Sequence, residues 1–157
     1  MGATGSHYLG LDLPRSWSEG VLARYAGDAE EAKNAFIAAR KEVAEKVRQS
    51  PDYAELLSVL GMIDANLSRK ADAIREGKRA IELLPTTRDS TDGPLLLENL
   101  AYIYVLTGEK ALACQQLALA AQVPGDLSYG ELQLHPDWDP LRAEPRFQEV
   151  IHTLAPK

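Results

Sequence analysis

The sequence predicts an all-α protein built from about three consecutive helix pairs, and three observations carry that prediction. Apolar residues recur every three or four positions over most of the chain, the spacing of a helix that buries one face. Pro, Gly, Asn and Ser gather at short intervals where such helices stop. Alanines seven apart recur at a near-constant offset: Ala32 and Ala39, then Ala73 and Ala80 after 41 residues, then Ala113 and Ala120 after 40. Residues seven apart share a helix face, and alanine lets two helix backbones come close.

The elements follow in order. Residues 1–14 carry three glycines and a proline without periodicity and read as a flexible arm or a cloning scar. Met1 to Ser6 also fits a loose N-myristoylation pattern, which the scar reading outweighs. A first helix with weak signals is expected over Ser16 to Tyr25. Gly27 suits a helix end, and Asp28 with Glu31 forms an acidic capping box. The next helix carries Ala32, Phe36, Ala39, Val43 and Val47 on one stripe and runs to about residue 49. Ser50-Pro51 reads as N-cap and first helical position, opening a helix over about 51–66. A turn at Asn66-Leu67-Ser68 leads to a helix over about 69–84, stopped by Pro85. Thr86 to Gly93 is polar and reads as a loop. Pro94 opens a helix to about Leu106, Thr107-Gly108 breaks it, and another helix follows over about 109–122. In the tail, Pro140 and Pro145 each suit a first helical turn, so a short turn and a helix over about 145–154 are expected. Trp138, Leu141, Phe147 and Ile151 are placed to cover the open end of the last pair.

Composition bounds the function. The chain has 157 residues, 45% hydrophobic and 25% charged, the balance of an ordinary globular domain. Its formal net charge is −6, with acidic and basic residues interleaved. Nucleic-acid binding needs a basic face, so it is not expected. No apolar run is long enough to cross a membrane. A single cysteine, Cys114, excludes an intrachain disulfide, and a cytoplasmic location is expected.

The repeat resembles the tetratricopeptide repeat (TPR). The middle unit reads Leu57, Leu60-Gly61, Asp64, Ala73, Gly77, Ala80 and Pro85. The last reads Leu97, Leu100-Ala101, Tyr104, Gly108, Ala113, Leu117, Ala120 and Pro124. The first is degenerate, with Gly20, Gly27, Ala32, Phe36 and Ala39. The chain departs from the pattern in its period, near 40 rather than about 34, in Asp64 where Tyr is usual, and in Gly77 where a large apolar residue is usual. The resemblance implies a right-handed α-solenoid of about three helix pairs with a C-terminal capping helix. Its divisions are an arm at 1–14, repeats over 15–126 (about 15–50, 51–85 and 94–124) and a cap at 127–157. His135 to Phe147 is similar to the segment that follows TPR regions in some bacterial signalling proteins. That likeness implies a sensor or scaffold fragment of such a protein, or a free-standing relative.

The resemblance further implies a non-catalytic protein–protein interaction module, an adaptor or scaffold that takes a peptide or partner segment in its concave groove. Carried over through the Leu60-Gly61 and Leu100-Ala101 anchors, the groove positions are Ser58, Met62, Asn66, Glu98, Asn99 and Tyr102. Met62 and Tyr102 are the apolar anchors, and Asn66 and Glu98 the polar orienters. A basic clamp on a peptide's carboxylates is not expected, because the groove offers Glu98 in place of Lys and Arg. Self-association as a homodimer, with Tyr8, Leu9, Leu11 and Leu13 docking in a neighbour's groove, is the alternative. Asp64 on a leucine-rich helix is expected to be paired, with Arg69 or Arg75 as partner, rather than functional. An enzyme is not expected: the chain has no phosphate-binding glycine loop, no nucleophile elbow and no recognisable nucleophile–base pair. No cofactor is implied, and His7, His135, His152 and Cys114 lack metal-ligand spacing.

Overall fold

The computed structural model describes residues 7–8 and 11–156. Six helices form three pairs: α1 (Arg15–Ala26) on α2 (Ala29–Gln49), α3 (Ala54–Asn66) on α4 (Lys70–Leu83), and α5 (Asp92–Leu106) on α6 (Lys110–Ala120). Helix α3 also packs against α2 and α5, and α4 against α5. The tail adds α7 (Tyr129–Leu134), a 3-10 turn at Pro136–Leu141 and α8 (Pro145–Leu154). Ahead of α1, β1 (His7–Tyr8) pairs antiparallel with β2 (Leu11–Asp12).

Local chemistry sets the boundaries. The Asp28 side chain accepts the Glu31 N–H at 3.0 Å and starts α2. Gly27 stands at φ 79 as the C-cap of α1, a left-handed position that suits glycine. At Ser50-Pro51 the expected helix start is displaced. The Ser50 N–H instead bonds the Lys46 and Val47 carbonyls and ends α2, and α3 starts at Ala54. Helix α5 starts before Pro94 because Asp89 accepts the Thr91 and Asp92 N–H groups, each at 2.8 Å. Pro94 then sits in the first turn, where its missing N–H costs no helical bond.

The core is held by alanine contacts and by two glycines. Ala39, Ala73 and Ala113 are fully buried, and their partners Ala32, Ala80 and Ala120 nearly so. A Cβ on Gly61 would stand 3.0 Å from the Ala73 carbonyl oxygen and 2.9 Å from Ile103 Cδ1. A Cβ on Gly77 would stand 2.8 Å from Ile103 Cδ1 and 2.9 Å from Leu100 Cδ1. So α3 and α4 run close together, and α5 fills with Leu100 and Ile103 the space that a large residue at 77 would occupy.

Both ends of the chain fold back onto the pairs. The sequence reads residues 1–14 as a flexible arm, yet Leu13 is 3% exposed within the core around Phe36, and Lys46 donates to the Asp12 carbonyl. Leu13 therefore docks in its own chain. The cloning-scar and lipidation readings of Met1 to Ser6 lie outside the described residues, as does Leu9. In the tail, the sequence reading missed α7, which Ser128 caps by accepting the Glu131 N–H at 3.1 Å. Arg142 donates to the Leu132 and His135 carbonyls and so closes that short helix. Trp138, Leu141, Phe147 and Ile151 are all buried in one cluster with Ala113, Leu117 and Ala120 of α6. Among the described residues, no helix is long and apolar enough to cross a membrane.

Candidate functional site

Helices α3 and α5 are apolar on nearly every side, so both are covered all round. Between them and α1 lies a cavity of about 390 Å³, closed on the far side by the tail. Four of the six groove residues read from the sequence line it: Met62 from α3, and Glu98, Asn99 and Tyr102 from α5. The other two lie elsewhere. Ser58 is 1% exposed and accepts from Asn99 Nδ2 at 2.9 Å. Asn66 Nδ2 donates to the Met62 carbonyl at 2.9 Å and to the Tyr102 hydroxyl at 3.3 Å. Both amides thus tie α3 to α5. Met62 is 4% exposed and belongs to the core, so it is no open anchor.

The remaining walls come from the weakly marked first helix of the repeat region and from the tail. Trp17 and Tyr25 arrive from α1, and Glu131 and Trp138 from the tail. A clasp joins those two segments. Asp137 accepts from Arg24 Nη2 at 2.8 Å and from the Tyr25 hydroxyl at 2.9 Å. Arg24 stacks on Tyr25, its guanidinium carbon 4.6 Å from the ring centre, and lies 5.6 Å from that of Tyr102. His135 meets Tyr25 edge-on. Tyr25, Asp126 and His135 are exposed and mark the mouth of the cavity.

The cavity is acidic. Burial first, then the nearby Glu131 and Asp126 carboxylates, push Glu98 up to about 7, against an N–H donated by Leu127. Burial raises Glu131 as well, while His135 and the Trp138 indole pull it down. That indole N–H closes no hydrogen bond of normal geometry, although Trp138 is 4% exposed. Tyr102 is raised to about 12, chiefly by burial.

A second polar cluster lies between α2, α3 and α4. Asp64 is fully buried and takes Arg40 Nε at 2.5 Å and Arg69 Nε at 3.2 Å. Of the two partners expected from sequence, Arg69 is the one found; Arg40, from the preceding pair, was not anticipated. Arg75 instead pairs with Asp72 at 2.7 Å. Glu76 adjoins Asp64, and burial followed by that neighbouring carboxylate raises it to about 8. Cys114 is buried, and burial raises its thiol. Among the described residues, no group of three or more His, Cys, Asp or Glu is placed to hold a metal ion.

No protein-family model matches the chain, and no curated protein matches it. Its chemistry is therefore read from geometry.

Proposed function

We propose that this chain is a non-catalytic interaction module of TPR type, a right-handed solenoid that takes a segment of a partner protein at the mouth of the α3/α5 cavity. The observation that carries this reading is the convergence of Met62, Glu98, Asn99 and Tyr102 on one cavity with an exposed mouth. They come from the first helices of adjacent pairs, the helices that line the concave side of a TPR solenoid. The pairwise packing order and the buried alanine repeat support the same reading. The departures from the repeat pattern have local causes. Asp64 is held by two arginines, and Gly77 makes room for Leu100 and Ile103. Homodimer formation by exchange of the arm is disfavoured, since Leu13 already occupies its own core.

The test is selection of peptides from a displayed random library on the purified protein. Enriched peptides are expected to lose at least about fivefold in affinity on a Tyr25→Ala variant whose fold is verified by circular dichroism. A library that yields no enriched peptide, or peptides indifferent to Tyr25→Ala, overturns the assignment.

A further inference from the structure

The charges around the cavity do not balance. Arg24 is committed to Asp137 at 2.8 Å, at the clasp. That leaves Glu98, Glu131 and Asp126 gathered at the other side, close enough for the latter two to disfavour ionisation of the first. Among the described residues, no Lys or Arg forms a salt bridge with any of these three. Glu98 alone of the three is buried, and ionising it beside two further carboxylates is costly unless a cation answers it.

The walls beside the carboxylates are aromatic. Trp17 and Trp138, the two tryptophans of the chain, both line the cavity with Tyr102. Aromatic faces attract cations and also accept an aliphatic stem. The Trp138 indole N–H neighbours Glu131 and lowers its carboxyl, so the aromatic wall and the carboxylates adjoin.

We propose that the cavity captures a lysine side chain of the partner segment, its ammonium among Glu98, Glu131 and Asp126 and its aliphatic stem against the aromatic walls. The proposal rests on the interaction-module reading. A lysine ammonium offers three donors from a compact centre, which suits three separate carboxylates; a guanidinium favours one carboxylate bound through its planar fork.

Both tryptophans report on the cavity, so intrinsic fluorescence reads binding directly. The probes are an acetylated, amidated pentapeptide with a central lysine among alanines, its norleucine twin, and free butylamine. The lysine peptide is expected to bind at least tenfold more tightly than the norleucine peptide. Glu98→Gln, which keeps the side-chain shape, is expected to remove at least fivefold of that preference. Asp126→Asn, at an exposed position, is expected to act in the same direction and guards against misfolding of the first variant. Equal binding of the lysine and norleucine peptides overturns the lysine assignment and leaves the interaction module standing. Binding of butylamine with neither peptide bound overturns both. A lysine preference unchanged in both variants overturns the placement of the ammonium.

Discussion

Replacing Glu76 by Gln is expected to stabilise the protein near pH 8 and to leave it almost unchanged near pH 5. Glu76 is 8% exposed, and its Oε2 has no hydrogen-bond partner. Burial first, and Asp64 next, raise its carboxyl from the ordinary 4.5 to about 8. In the unfolded chain a glutamate releases its proton near about 4.3. Between those two values the folded protein keeps a proton that the unfolded chain has lost, so stability falls as pH rises through the interval. Above about 8 the penalty is complete. At about 1.4 kcal/mol per pH unit, the upper bound is about 5 kcal/mol. Arg75, whose Nη2 lies 3.6 Å from Glu76 Oε1, stabilises the ionised form and reduces it. A gain of about 2 kcal/mol for Glu76→Gln at pH 8 is a reasonable expectation, because glutamine stays neutral and its amide can donate to Asp64 as the protonated carboxyl does. For a chain of this size that corresponds to a rise in Tm of about 4–8 °C. Thermal unfolding followed by circular dichroism at both pH values measures it. An equal gain at both, or a loss at pH 8, would refute the argument that folding holds Glu76 protonated.

Other outcomes follow from the same contacts. Gly61→Ala is expected to cost about 1–3 kcal/mol in urea unfolding, because its Cβ meets the Ala73 carbonyl; Gly77→Ala should cost less, since only methyl tips stand in its way. Arg40→Gln should cost about 2–3 kcal/mol, below the upper range because its side chain is 31% exposed and Arg69 still holds Asp64; an unchanged urea midpoint would contradict it. Asp137→Asn should loosen the clasp on Arg24 and Tyr25, so amide exchange over residues 129–141 should quicken while α3 stays protected. Affinity for the lysine pentapeptide should rise as pH passes upward through about 7, where Glu98 ionises beside Glu131, Asp126 and the Leu127 N–H, with Arg24, Asp137 and His135 on the other walls; a flat profile in a fluorescence titration would argue against Glu98 as the ligand.

Much of the helical layout was legible because it is local. The Asp28 cap, the Gly27 stop and the alanine pairs each act within a few residues, and the structure places α1, α2 and α6 close to where those signals put them. Helix α7 was not legible, since six residues carry too little periodicity and its closure depends on Arg142, a remote residue in the tail. The same limit applied to the cavity. The TPR resemblance, carried over through the Leu60-Gly61 and Leu100-Ala101 anchors, named Met62, Glu98, Asn99 and Tyr102. It did not name Trp17 or Tyr25, on the weakly marked first helix, or Trp138, in the tail. One signal was available. Leu56, Leu57, Val59, Leu60, Met62 and Ile63 leave α3 no polar face, and a helix apolar all round must be covered all round. The face read as an open groove therefore required a cover, although the sequence did not say which segment supplied it.

The buried polar groups of α3 and α5 separate charges that are answered within the fold from one that is not. Ser58 is answered by Asn99 across the two helices, and Asp64 by Arg40 and Arg69. The Ser58–Asn99 and Arg40–Asp64 contacts link adjacent helix pairs, and all of these groups are answered within the fold. Glu98 is answered differently: it takes one main-chain N–H, from Leu127, and faces two further carboxylates. A tail that merely covered α3 and α5 would do so most stably with apolar residues, since removing carboxylates from water without a cation is costly. Here the tail brings Asp126 and Glu131 toward a buried Glu98 and places aromatic rings beside them. That arrangement disfavours the ionised form of Glu98 in the free protein, and the proposed lysine would relieve it. For this reason the proposed binding site is the cavity and not the Asp64 cluster.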